Sequence, residues 1–368
     1  MIHVAQWGRS GGGPLFAWHV AAALDASGVP VSVSYAADAE AAPRFMDLGI
    51  PSFPVRTFST RAGAVLGLPA LVRQTLRLRR FLHRGDATVV VVAMEQLWLS
   101  LAIPLLRSRR WQVVTAVHDA RMHPGDANRI EDATRRWGRR FSDTALVFST
   151  AVRDRLVADG DFRDDRIWQT VHGAFGTGDS PREAPTPREA PTSRPLTVGL
   201  FGRLSAYKGI GLGRDAVAEL RRRGHRVRLH VVGDGDRTLV AGFDHPDDRV
   251  DLGWTPDERV ADVVGSFDLL LLPYTEASQS GVLAFAMGLG VPAVVTPVGG
   301  LAEQGQDAGC AIVARSVTAE ALADAVVDAG EPSRYRALSA AGLRAAADAF
   351  SWRRVADDLV TASSGGTR

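Results

Sequence analysis

Leu196-Thr197-Val198-Gly199-Leu200-Phe201-Gly202-Arg203-Leu204-Ser205-Ala206-Tyr207-Lys208-Gly209 reads as an uncharged strand, a glycine-flanked turn and the start of a helix. Such a strand suits a parallel sheet covered by helices on both faces. The turn holds the chain's only lysine, although lysine and arginine together number 43. An ammonium is compact and an arginine fork is broad and planar, so the two grip phosphate differently. Arg203, Lys208 and an amide-rich turn aimed at one point above a sheet suit a diphosphate. The plainer alternative is a solitary lysine on a solvated face.

Outward from this stretch, short apolar runs alternate with longer amphipathic ones, the pattern of parallel strands crossed by helices. In the first part, strands are expected over 2–5, 29–35, 88–93, 113–117 and 145–149. Helices are expected over 15–27, 64–83, 97–106, 128–140 and 151–159. The second part repeats the alternation, with strands over 196–201, 228–232, 269–272, 293–296 and 311–313. Both halves read as doubly wound α/β sheets. Between them, 176–195 carries Pro-Arg-Glu-Ala-Pro-Thr twice, from Pro181 and from Pro187. That composition buries no core and predicts an exposed, partly extended linker, or alternatively a docking motif. The expected layout is a first domain over 1–175, the linker, a second domain over 196–350 and a terminal helical segment over 351–368.

Composition narrows the function classes. With 46% hydrophobic and 23% charged residues in 368, the chain is expected to be soluble and globular. One cysteine, Cys310, allows no internal disulfide and fits a reducing cytoplasm. Residues 1–6 read as too short an apolar opening for a signal sequence. The uncharged stretch 278–302 is broken by Gly288, Gly290, Pro292 and Pro297 and is not read as a membrane span. Arginines outnumber acids 22 to 17 over 1–180, whereas 21 basic residues face 24 acidic ones thereafter. Much of that first-part excess lies over 71–84, where Arg73, Arg77, Arg80 and Arg84 recur beside Leu76, Leu78, Phe81 and Leu82. The segment is read either as a peripheral contact with anionic lipid or as an ordinary surface helix. Without interleaved aromatics the basic residues do not indicate nucleic acid.

Three further segments carry candidate chemistry. Gln6 to Pro14 is a glycine-rich turn, with Gly11, Gly12 and Gly13, that lets backbone approach a ligand at a helix start; it is not the dinucleotide fingerprint. His118-Asp119 follows a strand at its carboxyl end, where such sheets place ligands, and imidazole there can donate to a sugar hydroxyl. The pair also fits helix capping, and His123 lies close by in sequence. Leu271 to Val282 runs from an apolar strand through Glu276 and Ser278 to Ser280-Gly281-Val282, which opens an apolar helix with its first amides free to meet the same diphosphate.

Taken together these segments resemble glycosyltransferase family 4, retaining enzymes of the GT-B fold, in which two Rossmann-like domains face a central cleft. The resemblance also takes in Val232-Gly233-Asp234-Gly235, Leu252-Gly253-Trp254 and Gly290-x-Pro292 with Gly299-Gly300, and spans nearly the whole chain. It implies that Arg203 and Lys208 neutralise a donor diphosphate, that His118 contacts the donor sugar, that Glu276 faces a sugar or ribose hydroxyl, and that Trp254 neighbours the nucleobase. Gly12, Gly13, Gly202, Gly233, Ser278, Ser280, Gly281 and Val282 complete the implied donor site. One departure stands out: the second glutamate of the family's E-x7-E pattern is Phe285 here, and Glu276 lies nine residues before it. This is read as a branch with a Ser-Gly-Val turn.

Asp234-Gly235-Asp236 resembles the metal-binding pair of another glycosyltransferase fold, but with two cations at hand no metal or other cofactor is expected. The donor is expected to be UDP- or GDP-linked. The acceptor is expected to be a cell-surface glycan, a lipid-linked acceptor or a small molecule. Two alternatives stay open: an inactive nucleotide-sugar binding subunit, suggested by Phe285, and a GT-B nucleotide-sugar epimerase. The last helix, after Phe350-Ser351-Trp352, is expected to return to the first domain with Trp352 as a packing anchor.

Overall fold

A computed structural model describes residues 1–122, 129–176 and 185–363. They form two compact units, one of residues 1–122, 129–171 and 352–363 and the other of residues 172–176 and 185–351. The first holds seven strands, β1 (Ile2–Gln6), β2 (Val31–Ala36), β3 (Ser52–Val55), β4 (Val89–Val92), β5 (Gln112–Val117), β6 (Thr144–Val147) and β7 (Ile167–Gln169), in the order β3-β2-β1-β4-β5-β6-β7. The second holds six, β8 (Leu196–Phe201), β9 (Val227–Gly233), β10 (Arg249–Leu252), β11 (Leu269–Leu272), β12 (Ala293–Val295) and β13 (Ala311–Val313), ordered β10-β9-β8-β11-β12-β13. Every pairing within the two sheets is parallel. Strand order reverses beside β1 and beside β8, the switch points where doubly wound sheets open a crevice at the carboxyl ends of their strands.

The cores follow from composition. Val89–Val92 and Leu269–Leu272 are buried at every residue, as central strands covered on both faces must be. The three strands absent from the sequence reading, β3, β7 and β10, are all edges. Pro54 interrupts β3, β7 is three residues long, and β10 alternates Arg249 and Asp251 with apolar residues, so none shows a continuous apolar run.

One other expectation needs correction. The single helix expected over 64–83 is two, Arg61–Leu66 and Leu68–Arg84, meeting at Gly67. A β-carbon on Gly67 would lie 2.5 Å from the Trp98 ring, so the break sits where the backbone packs on that indole. The linker segment, for its part, carries one anchored residue. Residues 177–184, with most of the first hexapeptide, fall outside the described residues, but the second copy is tied to the second unit. The Arg188 amide donates to Ser339 Oγ (2.9 Å), and its guanidinium donates to the carbonyls of Phe267 and Gly265 (2.8 Å each). Gly265 ends the helix Asp257–Gly265, where exposed carbonyls favour a cation.

The first sheet also buries His3 completely, between the hydroxyls of Ser32 (2.8 Å) and Ser34 (3.0 Å). Burial lowers its pKa from 6.5 to about 3, so the ring is neutral in the fold and takes up a proton on unfolding below pH 6.5. Its contribution is intact above pH 6.5 and is lost as pH falls toward 3, by about 1.4 kcal/mol per pH unit. Thermal unfolding from pH 7.5 to 4.5 is expected to show a falling midpoint, and His3→Gln a shallower dependence. Equal slopes would show that His3 does not carry the effect.

Candidate active site

Within the second unit, the turns leaving β8, β9 and β11 are locked together by main-chain contacts. Gly202 donates to the Val232 carbonyl (3.0 Å), Leu204 to Asp234 (2.8 Å), and Asp236 back to Leu204 (2.9 Å). A β-carbon on Gly233 would lie 1.9 Å from the Gly202 carbonyl oxygen, so this position accepts glycine alone. Asp236 Oδ1 accepts from the Thr238 amide (3.0 Å) and hydroxyl (2.6 Å), capping the short turn Arg237–Val240. Asp236 thus serves as the cap of that turn. Among the described residues no three His, Cys, Asp or Glu side chains are grouped to hold a metal ion.

The turn after β8 also closes on the one after β11. Gly209 has φ of 64°, and a β-carbon there would lie 1.9 Å from the Pro273 carbonyl oxygen. Thr275 donates to the Tyr207 carbonyl at 2.8 Å. Lys208 Nζ donates to the phenol oxygen of buried Tyr274 (2.7 Å) and sits 4.0 Å from that ring's centroid and 5.3 Å from that of Tyr207. Helix Gly281–Gly288 starts at the same place, since a β-carbon on Gly202 would meet Val282 Cγ2 at 3.8 Å. The lysine turn, its neighbour Arg203 and a helix start thus share one end of one sheet.

That helix start is more tied down than the sequence implies. Ser280 Oγ accepts from the Leu283 amide (3.3 Å), while Gln304 accepts from the Ser280 amide (2.8 Å) and donates to the Ser280 carbonyl (3.2 Å). The cap takes the Leu283 amide, leaving Gly281 and Val282 as donors of the first turn. Arg203 and Glu276 are exposed and Ser278 half-buried. Trp254, 53% exposed, follows β10, where the Gly253 amide donates to the Gly233 carbonyl (3.0 Å). Phe285 stacks on Phe175 at 4.5 Å between centroids, so an aromatic contact fills the position where a second glutamate was expected.

In the first unit, the ends of β1, β4 and β5 gather the other predicted residues. Gly12 is exposed, whereas Gly13 is buried where a β-carbon would lie 2.2 Å from the Gln6 carboxamide and 2.8 Å from Met94 Sδ. His118 is buried against Phe16 (4.9 Å, edge-on) and Phe148 (4.6 Å), and burial lowers its pKa despite the Ala93 hydrogen bond and the nearby Asp119. Its Nε2 lies 2.9 Å from the Ala93 carbonyl, which can only accept, so Nε2 carries the proton. This corrects the expectation of a ring that donates to a sugar hydroxyl: in the neutral tautomer Nδ1 is an acceptor. His123 lies outside the described residues. Trp352 is buried, stacked on His19 at 4.7 Å and 5.4 Å from Phe16. Cys310 is buried with its thiol pushed up to about 12, which makes it inert as a nucleophile.

Residues 11–169 match the family model described as glycosyl transferase 4-like domain, and residues 195–331 the one described as glycosyl transferases group 1. The chain belongs to glycosyltransferase family 4. A D-inositol 3-phosphate glycosyltransferase of Nocardia farcinica is 28% identical over 300 residues, 73% of this chain and 64% of that protein, so the family 4 chain spans less than two thirds of that relative's length. An alpha-D-kanosaminyltransferase of Streptomyces kanamyceticus is 26% identical over 297 residues, 74% of this chain and 76% of the relative. The crystal structure of Anabaena HepE in complex with UDP and glucose aligns over 99% of both chains with a TM-score of 0.72 at 16% identity, which gives this family 4 chain the GT-B fold.

Tyr274 and Gln304 were missed from the sequence. Tyr274 had a usable signal, an aromatic directly after the strand-ending Pro273. Gln304 had none, being 24 residues from the serine it holds. Ser280→Ala is expected to cost about 1 kcal/mol of stability through the lost cap, measured by urea unfolding. A midpoint equal to wild type would mean that the Gln304 contacts alone hold the turn.

Proposed function

We propose that this glycosyltransferase moves a sugar from a nucleoside diphosphate donor, UDP- or GDP-linked, to an acceptor with retention of anomeric configuration. The supporting observation is the meeting of Lys208, the Arg203 turn and the Gly281 helix start at the carboxyl end of the second sheet. As the sugar–phosphate bond breaks, negative charge grows on the diphosphate. Cations and fixed amides at that point stabilise it more in the transition state than in the ground state. Lys208 would exchange the Tyr274 phenol, a neutral partner, for a phosphate oxygen. Arg203 would supply the second charge and the Gly281 and Val282 amides the dipole end, so no metal is needed.

In this reading Trp254 stacks on the nucleobase, Glu276 and Ser278 meet sugar or ribose hydroxyls, and Gly202 and Gly233 let the backbone close on the donor. His118 Nδ1 accepts from a donor-sugar hydroxyl, and Gly12 and Gly13 lie in the same first unit, at the helix start that follows β1. The acceptor attacks from the face the diphosphate leaves, and the departing phosphate takes its proton. Phe285 marks a branch with a Ser-Gly-Val turn, in which packing on Phe175 replaces a carboxylate contact. The name of the D-inositol 3-phosphate glycosyltransferase records a small polar acceptor, which favours such an acceptor here over a long glycan.

A peripheral seat on the cytoplasmic face of a membrane belongs to the same proposal. No described helix is long and apolar enough to cross a membrane. Residues 61–84 contain no acid, and Leu66 (81% exposed), Val65 (66%), Val72 and Leu76 are exposed alongside Arg73, Arg77, Arg80 and Arg84. Apolar side chains among unopposed arginines suit anionic lipid, each cation adding about 1 kcal/mol near such a surface. The protein is expected to sediment with phosphatidylglycerol vesicles and not with phosphatidylcholine vesicles, and Val72→Asp/Leu76→Asp to remain in the supernatant. Equal partition into both vesicle types would reject the seat.

For transfer itself, Lys208→Ala is expected to lower turnover at least about 100-fold across a panel of UDP- and GDP-sugars with small polyol acceptors, with circular dichroism unchanged. Wild-type rates in that variant would remove the ammonium from the mechanism.

A further inference from the structure

Arg139 is a heavily bonded charged side chain of the first unit, and nothing in the transfer chemistry uses it. It lies in the last turn of helix Arg129–Arg140 and is 2% exposed. Its guanidinium makes five hydrogen bonds. Nε and Nη2 grip the two oxygens of Glu95 at 2.7 Å each, Nη1 reaches the Ala120 carbonyl and Asp161 Oδ2 at 2.8 Å each, and Nη2 reaches the Asp119 carbonyl at 3.0 Å. Burial opposes its charge, but Glu95 and Asp161 outweigh that and hold its pKa above the ordinary arginine value.

The partners are distributed in a way that fold stability alone does not require. Glu95 belongs to the loop leaving β4, and Asp119 and Ala120 to the loop leaving β5. The same two loops are joined once more by His118 Nε2 on the Ala93 carbonyl (2.9 Å). Arg139 binds two residues beyond Ala93 on one side and one and two residues beyond His118 on the other. A bidentate fork is rigid in a way a lysine ammonium is not, so the two loops are held in register at the point where His118 emerges. Buried ion pairs are weak net stabilisers compared with apolar packing, which leaves loop geometry as the property this one supplies.

We infer that Arg139 is a positioning residue: by clamping Glu95 to the carbonyls of Asp119 and Ala120 it fixes the imidazole of His118 in place and tautomer. The inference bears on catalysis through the reading of His118 as a donor-sugar contact, but its test needs no donor. The full chain is labelled with nitrogen-15 histidine, and the His118 ring signals are assigned with His118→Gln among the nine histidines. In wild type, His118 is expected as the Nε2–H tautomer with a slowly exchanging ring proton.

In Arg139→Lys, exchange of that proton is expected to rise about tenfold, as for loss of one net hydrogen bond, and the His118 signals to move while those of His3 stay. A folded Arg139→Lys with unaltered His118 signals and exchange, and only a lower melting temperature, would overturn the proposal. If Arg139→Lys does not fold, Glu95→Gln takes its place, keeping the acceptor shape while removing the charge; the same loosening is expected, and an unmoved His118 overturns the proposal again. Full transfer by His118→Gln would dismiss the donor contact while leaving this clamp standing, so the two failures are told apart.

Discussion

Main-chain atoms meet at the strand ends of the second unit with no room for a β-carbon between them, and the candidate site depends on that contact. Gly233 lies against the Gly202 carbonyl, Gly235 against that of Leu204, and Gly209 against that of Pro273. Glycine is required at each, and at Gly209 and Gly235 the positive φ adds a second reason. Because the turn after β8 is held on two sides in this way, Lys208 has a fixed root from which its flexible stem reaches Tyr274. The site's cations thus rest on backbone geometry, with few side chains needed to hold it.

The first unit solves the same problem differently. Its strand-end loops are joined through side chains, with Arg139 and Glu95 bridging β4 and β5 and Gln6 filling the space that Gly13 leaves open. A buried guanidinium with two carboxylates demands complete satisfaction, since each unmet group would carry its full desolvation cost. Side-chain clamps of this kind tolerate variation in backbone spacing but fail together when one member is lost. Backbone clamps fail one glycine at a time.

How much could be read beforehand follows from these differences. Central strands such as Val89–Val92 and Leu269–Leu272 are short apolar runs and were visible at once. The edge strand Arg249–Leu252 was not, because its charges at alternate positions leave no continuous apolar run. The glycine turn with Lys208 was legible because residue type reports backbone constraint directly. Arg139 was not: it is one of five arginines in helix Arg129–Arg140, and only the fold distinguishes the one that turns inward. Likewise Phe285 read as a missing carboxylate, and only the packing on Phe175 shows what occupies the position. The hexapeptide composition hid the anchoring of Arg188, since a guanidinium that caps carbonyls looks like any solvated arginine in sequence.

The ammonium resting on Tyr274 has a practical corollary. As the sole ε-amine in the sequence it gives lysine-directed reagents a single side-chain target. Acylation or reductive methylation therefore acts almost as a site-directed probe, placing a reporter where the proposed leaving group would lie, without altering a codon. Few chains rich in cations offer such single-site chemistry, and here it follows from arginine having taken every other basic position.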